Sequence, residues 1–456
     1  MNGRKSPLHL HHLTLTCVFA LHFCAGGSST VRGQDSASLA DHRVESLVDS
    51  IAEEYVRLVL ALGVHDEGFV DSYFGPREWR VEAEASGLSP ADIDQQATLL
   101  LDQLVWGPDR ADEPGRRRAQ FLEGQLRAVR GRAQIIGGTR MTFDEESQVL
   151  YGAVLPPLDL QELDRLHAEL DRRVPGEGDL AERFVEWRRR FLVPVERVDV
   201  VMRAAMDECR RRTAERIELP EGEGFTLEYV RGEAWTGFAQ YRGNYQSAVL
   251  INLDVEMNPE NLLLLGCHET YPGHHLQALL LDQRLVRDAG WMEYSVVPLR
   301  SPLILLYEGL ADFGYDIAIP LEDRITFGSE TLFPLAGLDP MGAPEFFSIM
   351  SIYNRLFRSA FGHDGREFLE GRMSREETIE WLMKYALLNS EDATRVVDSY
   401  PDEGPYNINY GVGYSLVERY AESLGGTPDR PEIRWQVLEE LLSEPERPSE
   451  IEARLH

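Results

Sequence analysis

The sequence predicts a mainly α-helical protein carrying one small antiparallel β-sheet. Three observations lead there. Apolar residues recur at spacings of three and four through several long segments, the signature of amphipathic helices. A single stretch near the middle of the chain alternates like β-structure instead. With 456 residues and 43% hydrophobic content, the chain is long enough to bury a large core.

Taken in order, the chain begins Met1-Asn-Gly-Arg-Lys, followed by the apolar run Leu13 to Ala25 and the small, polar run Gly26 to Gln34. That is a secretory signal-peptide pattern, and residues 1–33 are expected to be removed after Gly33. The mature protein is then exported, to the periplasm or beyond the cell. Lipid attachment at Cys24 is the less favoured reading, because Phe23 is bulkier than the residue that usually precedes a lipidated cysteine. No later run approaches the roughly 20 apolar residues of a membrane span. Residues 34–456 form one helical domain, divisible into an N-terminal part, 34–220, and a catalytic part, 221–456.

Helical periodicity covers Val44 to Leu62, Ser147 to Arg173, Leu180 to Phe191 and Val195 to Ile217, with breaks at Leu155-Pro-Pro-Leu158 and Val174-Pro-Gly-Glu-Gly178. The β-rich runs Phe225 to Arg231 and Ser247 to Leu253 flank a connection bearing Gly237, Tyr241 and Gly243. They suggest the small antiparallel sheet, whose edge either binds an extended peptide or merely caps the helices. The formal charge of −31 excludes nucleic acid and anionic membrane surfaces as partners, since both repel an acidic protein. Of four cysteines, Cys209 and Cys267 remain after cleavage. A buried free thiol at Cys267 is preferred over a disulfide.

The chemistry-bearing segment runs from Asn258 to His275. Asn258 can cap a helix and Pro259 suits its first turn, and the apolar run that follows carries His268 and Glu269 into the interior. A buried His-Glu pair is costly unless hydrogen-bonded or metal-bound. In a His-Glu-x-x-His helix, two histidines four apart bind zinc and the glutamate activates water. Here the fourth position is Pro272. The candidates for second ligand are His274 and His275, and a straight helix would hold the latter about 10 Å from His268. Pro272-Gly273 should kink or bulge the helix, bringing His274 to the metal, with His275 the alternative. A third ligand is expected from the helix begun by Ser301 and Pro302: Glu308 as ligand and Asp312, one turn on, orienting His268.

On His268-Glu-Thr-Tyr-Pro-Gly-His-His-Leu-Gln277 and Tyr307-Glu-Gly-Leu-Ala-Asp312, the chain resembles the bacterial "domain of unknown function 885" proteins, which look like members of the gluzincin metallopeptidases. Glu308-Gly-Leu-Ala is similar to the Glu-Gly-Phe-Ala segment by which gluzincin aminopeptidases supply a third ligand. The resemblance extends more weakly to Ser374-Arg-Glu-Glu-Thr-Ile379 and to Tyr406-Asn-Ile-Asn-Tyr410-Gly-Val-Gly413, and Ser359 stands where the family usually has an aspartate, a departure that bears on the substrate pocket. It implies a large helical gluzincin-like fold with the sheet beside the active-site helix.

The expected function is therefore zinc-dependent hydrolysis of a peptide, with Zn2+ on His268, His274 and Glu308 and Glu269 as general base. Tyr410 is the candidate donor to the oxyanion. The alternatives are hydrolysis of another amide or ester at the same metal, or an inactive peptide-binding protein of this fold.

Overall fold

The computed structural model describes residues 32–104, 113–233 and 235–456, with helical residues 32–45 and 113 described by their backbone alone. Cys24 and all but the last two residues of the expected signal peptide lie outside the described residues. The chain divides into two compact units, Met1–Arg43 and Val44–His456, and every strand belongs to the second.

Before the sheet come α1 (Arg32–Leu62), β1 (Val70–Tyr73), α2 (Arg77–Ala85), α3 (Pro90–Leu104), α4 (Glu113–Ile136), α5 (Phe143–Tyr151), α6 (Leu160–Arg173), α7 (Leu180–Arg189) and α8 (Val195–Ala214). Then follow β2 (Gly224–Val230), β3 (Gly237–Tyr241), β4 (Gln246–Asn252), α9 (Pro259–Glu269), α10 (His274–Leu280), β5 (Val296–Pro298) and α11 (Pro302–Ala318). The chain finishes with α12 (Leu321–Phe327), α13 (Phe333–Ala336), α14 (Ala343–Ala360), α15 (His363–Leu369), α16 (Arg375–Tyr385), α17 (Ser390–Glu403), α18 (Ile408–Ser423), α19 (Pro431–Ser443) and α20 (Pro448–Arg454). At 68% helix and 6% strand, the fold is mainly α, as the periodicity requires.

Local chemistry sets the helix limits. The expected segment from Ser147 to Arg173 is two helices. Gly152, in the left-handed region, ends α5, and the Asp159 carboxylate accepts from the backbone of Gln161 and Glu162 to start α6. Helix α9 opens with a capping box between Asn258 and Asn261, with Pro259 at its first position. Helix α11 opens on Pro302, whereas Ser301 makes no cap and donates to the Pro298 carbonyl instead. Apolar on all sides, α11 is buried along nearly its whole length. One core cluster runs from Phe121 to Ile451, joining residues on both sides of position 220.

The sheet departs from expectation in one respect. Its strand order is β2-β4-β3, and the two β-rich runs, β2 and β4, pair in parallel from Gly224↔Gln246 to Val230↔Asn252. The antiparallel partner of β4 is β3, which lies in the segment read as a connection. A parallel pair needs a crossover, and the 231–245 segment supplies one that itself contains a strand.

The preferred free thiol at Cys267 is overturned. Cys209 on α8 and Cys267 on α9 form a disulfide, with Cα atoms 5.4 Å apart. The two helices come this close because Gly266 offers no side chain where Ala205 and the Met206 backbone press against α9, within 3.1 to 3.3 Å of any added Cβ. Periodicity buries a cysteine but says nothing of its distance from a second one on another helix. Closing a loop of 58 residues, the bridge should contribute about 2–4 kcal/mol. Replacing both cysteines by alanine is expected to lower the urea unfolding free energy by that amount; an unchanged midpoint and slope would show that the bridge adds nothing.

Candidate metal centre

Two turns of chain make the site. Helix α9 ends at Glu269, the backbone passes a cis Tyr271–Pro272 bond, and helix resumes at His274. The expected kink is thus a complete break. It is clamped by backbone bonds from Gly273 N–H to the Cys267 carbonyl and from Leu276 N–H to the Thr270 carbonyl. Gly273 alone fits there, since a Cβ would stand 1.8 Å from the His268 carbonyl oxygen. Folding back so tightly stacks His274 near His268, ring centroids 4.5 Å apart and nearly perpendicular.

Helix α11 closes the site from the other side. His268 Nε2 lies 3.2 Å and His274 Nε2 3.7 Å from Glu308 Oε2. One potential ligand atom from each of these three residues falls within 4.8 Å of the others. Atoms bound tetrahedrally to zinc at about 2.0–2.1 Å stand roughly 3.3 Å apart, so these separations suit one ion. Glu308 Oε2 and His274 Nδ1 are buried without a hydrogen-bond partner among the described residues. Such orphaned polar atoms are costly unless something binds them, and a metal on Glu308 Oε2 removes that cost.

The supporting contacts are specific. Asp312 Oδ1 lies 2.9 Å from His268 Nδ1. A carboxylate only accepts, so Nδ1 carries a proton, which leaves Nε2 as the nitrogen available to a metal. Tyr406 donates to Glu308 Oε1 at 3.2 Å. Burial pushes the Glu308 carboxyl up, but its contacts to His268 and His274 win and hold it well below the carboxylate range. Burial pushes the Glu269 carboxyl up, and the charges of Glu308 and Asp312 add to this against the pull of both histidines. Burial lowers the His268 imidazole, yet its bonds to Asp312 and Glu308 carry it well above its ordinary value.

His275 is directed elsewhere. Its Nδ1 is 2.7 Å from Ser247 Oγ on β4, its Nε2 is 3.2 Å from Glu223, and Phe225 packs edge-on against the ring. Glu223 also accepts from the Tyr271 hydroxyl and from Arg210, which together hold its carboxyl down at about 2 despite burial. This ring therefore fastens the turn after α9 to the sheet, and His274 is the histidine placed with His268 and Glu308.

Tyr410 lies on α18, beside Tyr406, and its phenol is held well above its ordinary value by burial and by the charges of Glu308, Asp312 and Glu269. What brings α18 so near is a glycine contact. A Cβ on Gly309 would stand 2.3 Å from the Gly413 carbonyl carbon, and one on Gly413 2.2 Å from the Leu305 carbonyl oxygen. Ser359 is not at the cluster; with Arg358, Tyr414 and His363 it lines a separate cavity of about 1110 Å³. Sequence reasoning missed Tyr406 as a partner of Glu308, Glu223 as the anchor of His275, and Asp71 on β1, whose charge is coupled to His274, Glu308 and Glu269. Tyr406 was reachable through the Tyr-x-x-x-Tyr spacing that puts it one turn from Tyr410. Nothing around Asp71 in the sequence marks it.

No protein-family model matches this sequence, and no curated protein is significantly similar to it. Solved structures that match include two candidate lipoproteins. A candidate lipoprotein from Colwellia psychrerythraea superposes with a TM-score of 0.51 at 14% identity, over 82% of this chain and 71% of its own. A candidate lipoprotein of unknown function from Shewanella oneidensis gives 0.45 at 12% identity, over 94% and 89%. The first shares the overall fold with this chain.

Replacing His274 by alanine should weaken zinc binding by far more than the roughly 10- to 100-fold expected for loss of a supporting group such as Asp312. His275→Ala should leave zinc affinity nearly intact and instead cost about 1–3 kcal/mol of stability, because Glu223 and Ser247 lose a buried partner. Chelator competition read beside urea melts measures both, and the reverse ordering of zinc affinities would assign the wrong ring.

Proposed function

We propose that this protein is an exported, zinc-dependent peptidase of the gluzincin type, with His268, His274 and Glu308 holding the metal and Glu269 as general base. The observation that carries the reading is the convergence of three ligand atoms from α9, α10 and α11 with a second buried carboxylate, Glu269, beside them. The resemblance to the domain of unknown function 885 proteins belongs to the same reading.

Bound there, zinc supplies Lewis acidity that polarises a carbonyl and lowers the pKa of a water toward about 7. Glu269 takes a proton from the attacking water as its oxygen bonds to the carbonyl carbon, and returns it to the leaving nitrogen as the C–N bond breaks. A carboxyl raised by burial is better matched to both transfers than an exposed one. Asp312 keeps the His268 ring in the ligating tautomer, and Tyr406 holds the other oxygen of Glu308. Tyr410 is assigned as donor to the oxygen on which charge develops.

A peptide is favoured as substrate by the sheet. Strand β3 is an edge strand, and a Cβ on its first residue, Gly237, would stand 3.0 Å from Glu269 Oε1. An extended peptide added to that edge runs directly past the base. Export is supported by the N-terminal pattern and by the disulfide, which persists in oxidising compartments. The Colwellia neighbour is itself described as a candidate lipoprotein, and among the described residues no helix is long and apolar enough to cross a membrane.

Purified protein is expected to carry one zinc per chain and to lose peptide hydrolysis on chelation. Glu269→Gln should keep that zinc while reducing turnover by about 10² to 10⁴-fold. Metal analysis and digestion of a peptide library with mass-spectrometric readout check both. A zinc-replete Glu269→Gln protein working at the wild-type rate would remove Glu269 from the mechanism.

A further inference from the structure

We propose a second site, apart from the metal cluster: a cavity between α4, α5 and the start of α20 that binds a small anion carrying two or more carboxylate or phosphoryl groups. The cavity has a volume of about 450 Å³, within the range of small-molecule sites. Arg127, Arg130 and Gln134 of α4, Gln148 of α5, and Arg447 and Ser449 at the start of α20 supply its polar lining. Among the described residues no aspartate or glutamate lines it. In a chain of formal charge −31, a wall of three guanidinium groups without a carboxylate is a local reversal. Arg127, Gln148 and Ser449 are exposed, so the cavity is reached from solvent.

Local packing builds that wall. Gly124 and Gly131 lie two turns apart on one face of α4. A Cβ on Gly131 would stand 2.1 Å from Val149 Cγ1, and one on Gly124 would meet Arg447 Cδ at 3.0 Å. The first glycine thus brings α5 onto α4, and the second lets the Arg447 stem lie against the helix. Carboxylates hold the guanidinium groups from outside the lining. Glu123 accepts from Arg127 Nη2 at 2.7 Å and from Arg447 Nη1 at 2.9 Å, and Glu450 accepts from Arg447 Nη2 at 2.8 Å. Asp94 accepts from Arg130 Nε and from Gln134 Nε2, both at 3.0 Å.

These bonds leave donors over, because an arginine carries more N–H groups than one carboxylate engages. Among the described residues Arg130 is bonded only through Nε, which leaves both terminal nitrogens. Arg127 retains Nη1, and the Nε of Arg447 is buried without a partner. Forked N–H groups match the paired oxygens of carboxylates and phosphates. Since the unpaired donors come from two sides of the cavity, α4 and the start of α20, a ligand with more than one charged group engages all three arginines. The acidic exterior does not forbid it. Charges are screened beyond about 8 Å at physiological ionic strength, so a small anion inside the cavity meets the arginines, whereas nucleic acid or a membrane must lie across the acidic surface.

The test is titration calorimetry of the full-length protein at about 0.15 M salt, with tricarballylate and with inorganic pyrophosphate as probes. The tighter of the two names the charged group. One equivalent is expected to bind with a dissociation constant below about 1 mM. Arg130→Gln, at a half-exposed position, should weaken binding roughly 10- to 100-fold, the size of a charged hydrogen bond. Gly124→Ala keeps all three charges but displaces the Arg447 stem, and should weaken binding too. Two variants should match wild type: Arg395→Gln, which removes an exposed charge outside the cavity, and His274→Ala, which disturbs the metal cluster. Binding of both probes weaker than about 1 mM overturns the proposal. So does unchanged affinity in either Arg130→Gln or Gly124→Ala. An equal loss in Arg395→Gln overturns it by reducing the effect to net charge, and a loss in His274→Ala does so by assigning the anion to the metal cluster.

Discussion

Backbone-to-backbone contact around α11 is the constraint on which this molecule depends. Gly309 meets Gly413 of α18, Gly314 meets Pro272 of the turn after α9, and within that turn Gly273 lies against the His268 carbonyl. Each contact leaves no room for a Cβ. Because two segments, α18 and the turn after α9, approach α11 at glycines, Glu308, both histidines, Tyr406 and Tyr410 reach a common space that ordinary helix packing, with axes 8–10 Å apart, would hold open. The glycines are thus the reason the ligand atoms can converge.

The cluster they create is expensive in isolation. Glu269, Glu308 and His268 are all nearly removed from water, and one carboxylate oxygen of each glutamate has no hydrogen-bond partner among the described residues. The surroundings are built to hold them regardless. The disulfide fixes α9 to α8 one residue before His268, and His275 ties the following turn to Ser247 and Glu223. Below Asp312, the half-buried Asp316 is compensated by Arg324 and Arg358. A local concentration of unfavourable groups inside a well-braced frame is what preorganised chemistry requires.

The sheet contributes position more than stability. Its parallel β2–β4 pair is fastened to the turn through His275, which leaves the antiparallel strand β3 on the outside with Gly237 against Glu269. In the β1–β5 pair, Asp71 is the extra residue of a bulge that breaks the alternation of its strand. The helices that carry the histidines and Glu308 and the strands beside them are thus joined both through His275 and at Gly237.

By itself the sequence determined the helical class, the cap that starts α9, the break at Pro272-Gly273, and the pairing of Glu308 with Asp312 one turn apart. All of these are local: they follow from periodicity, from proline's missing donor and from carboxylates spaced by a helical turn. Tertiary structure alone decided which features meet across long separations. Sequence favoured His274 over the adjacent His275 without excluding the latter, and only the positions of β4 and Glu223 direct the two rings apart. Cys209 met Cys267 because Gly266 lets two helices touch, and the strand read as a connection became the sheet edge because β2 and β4 run parallel. Asp71 was illegible for the same reason: a lone aspartate in a short strand acquires meaning only from the charges that folding sets around it.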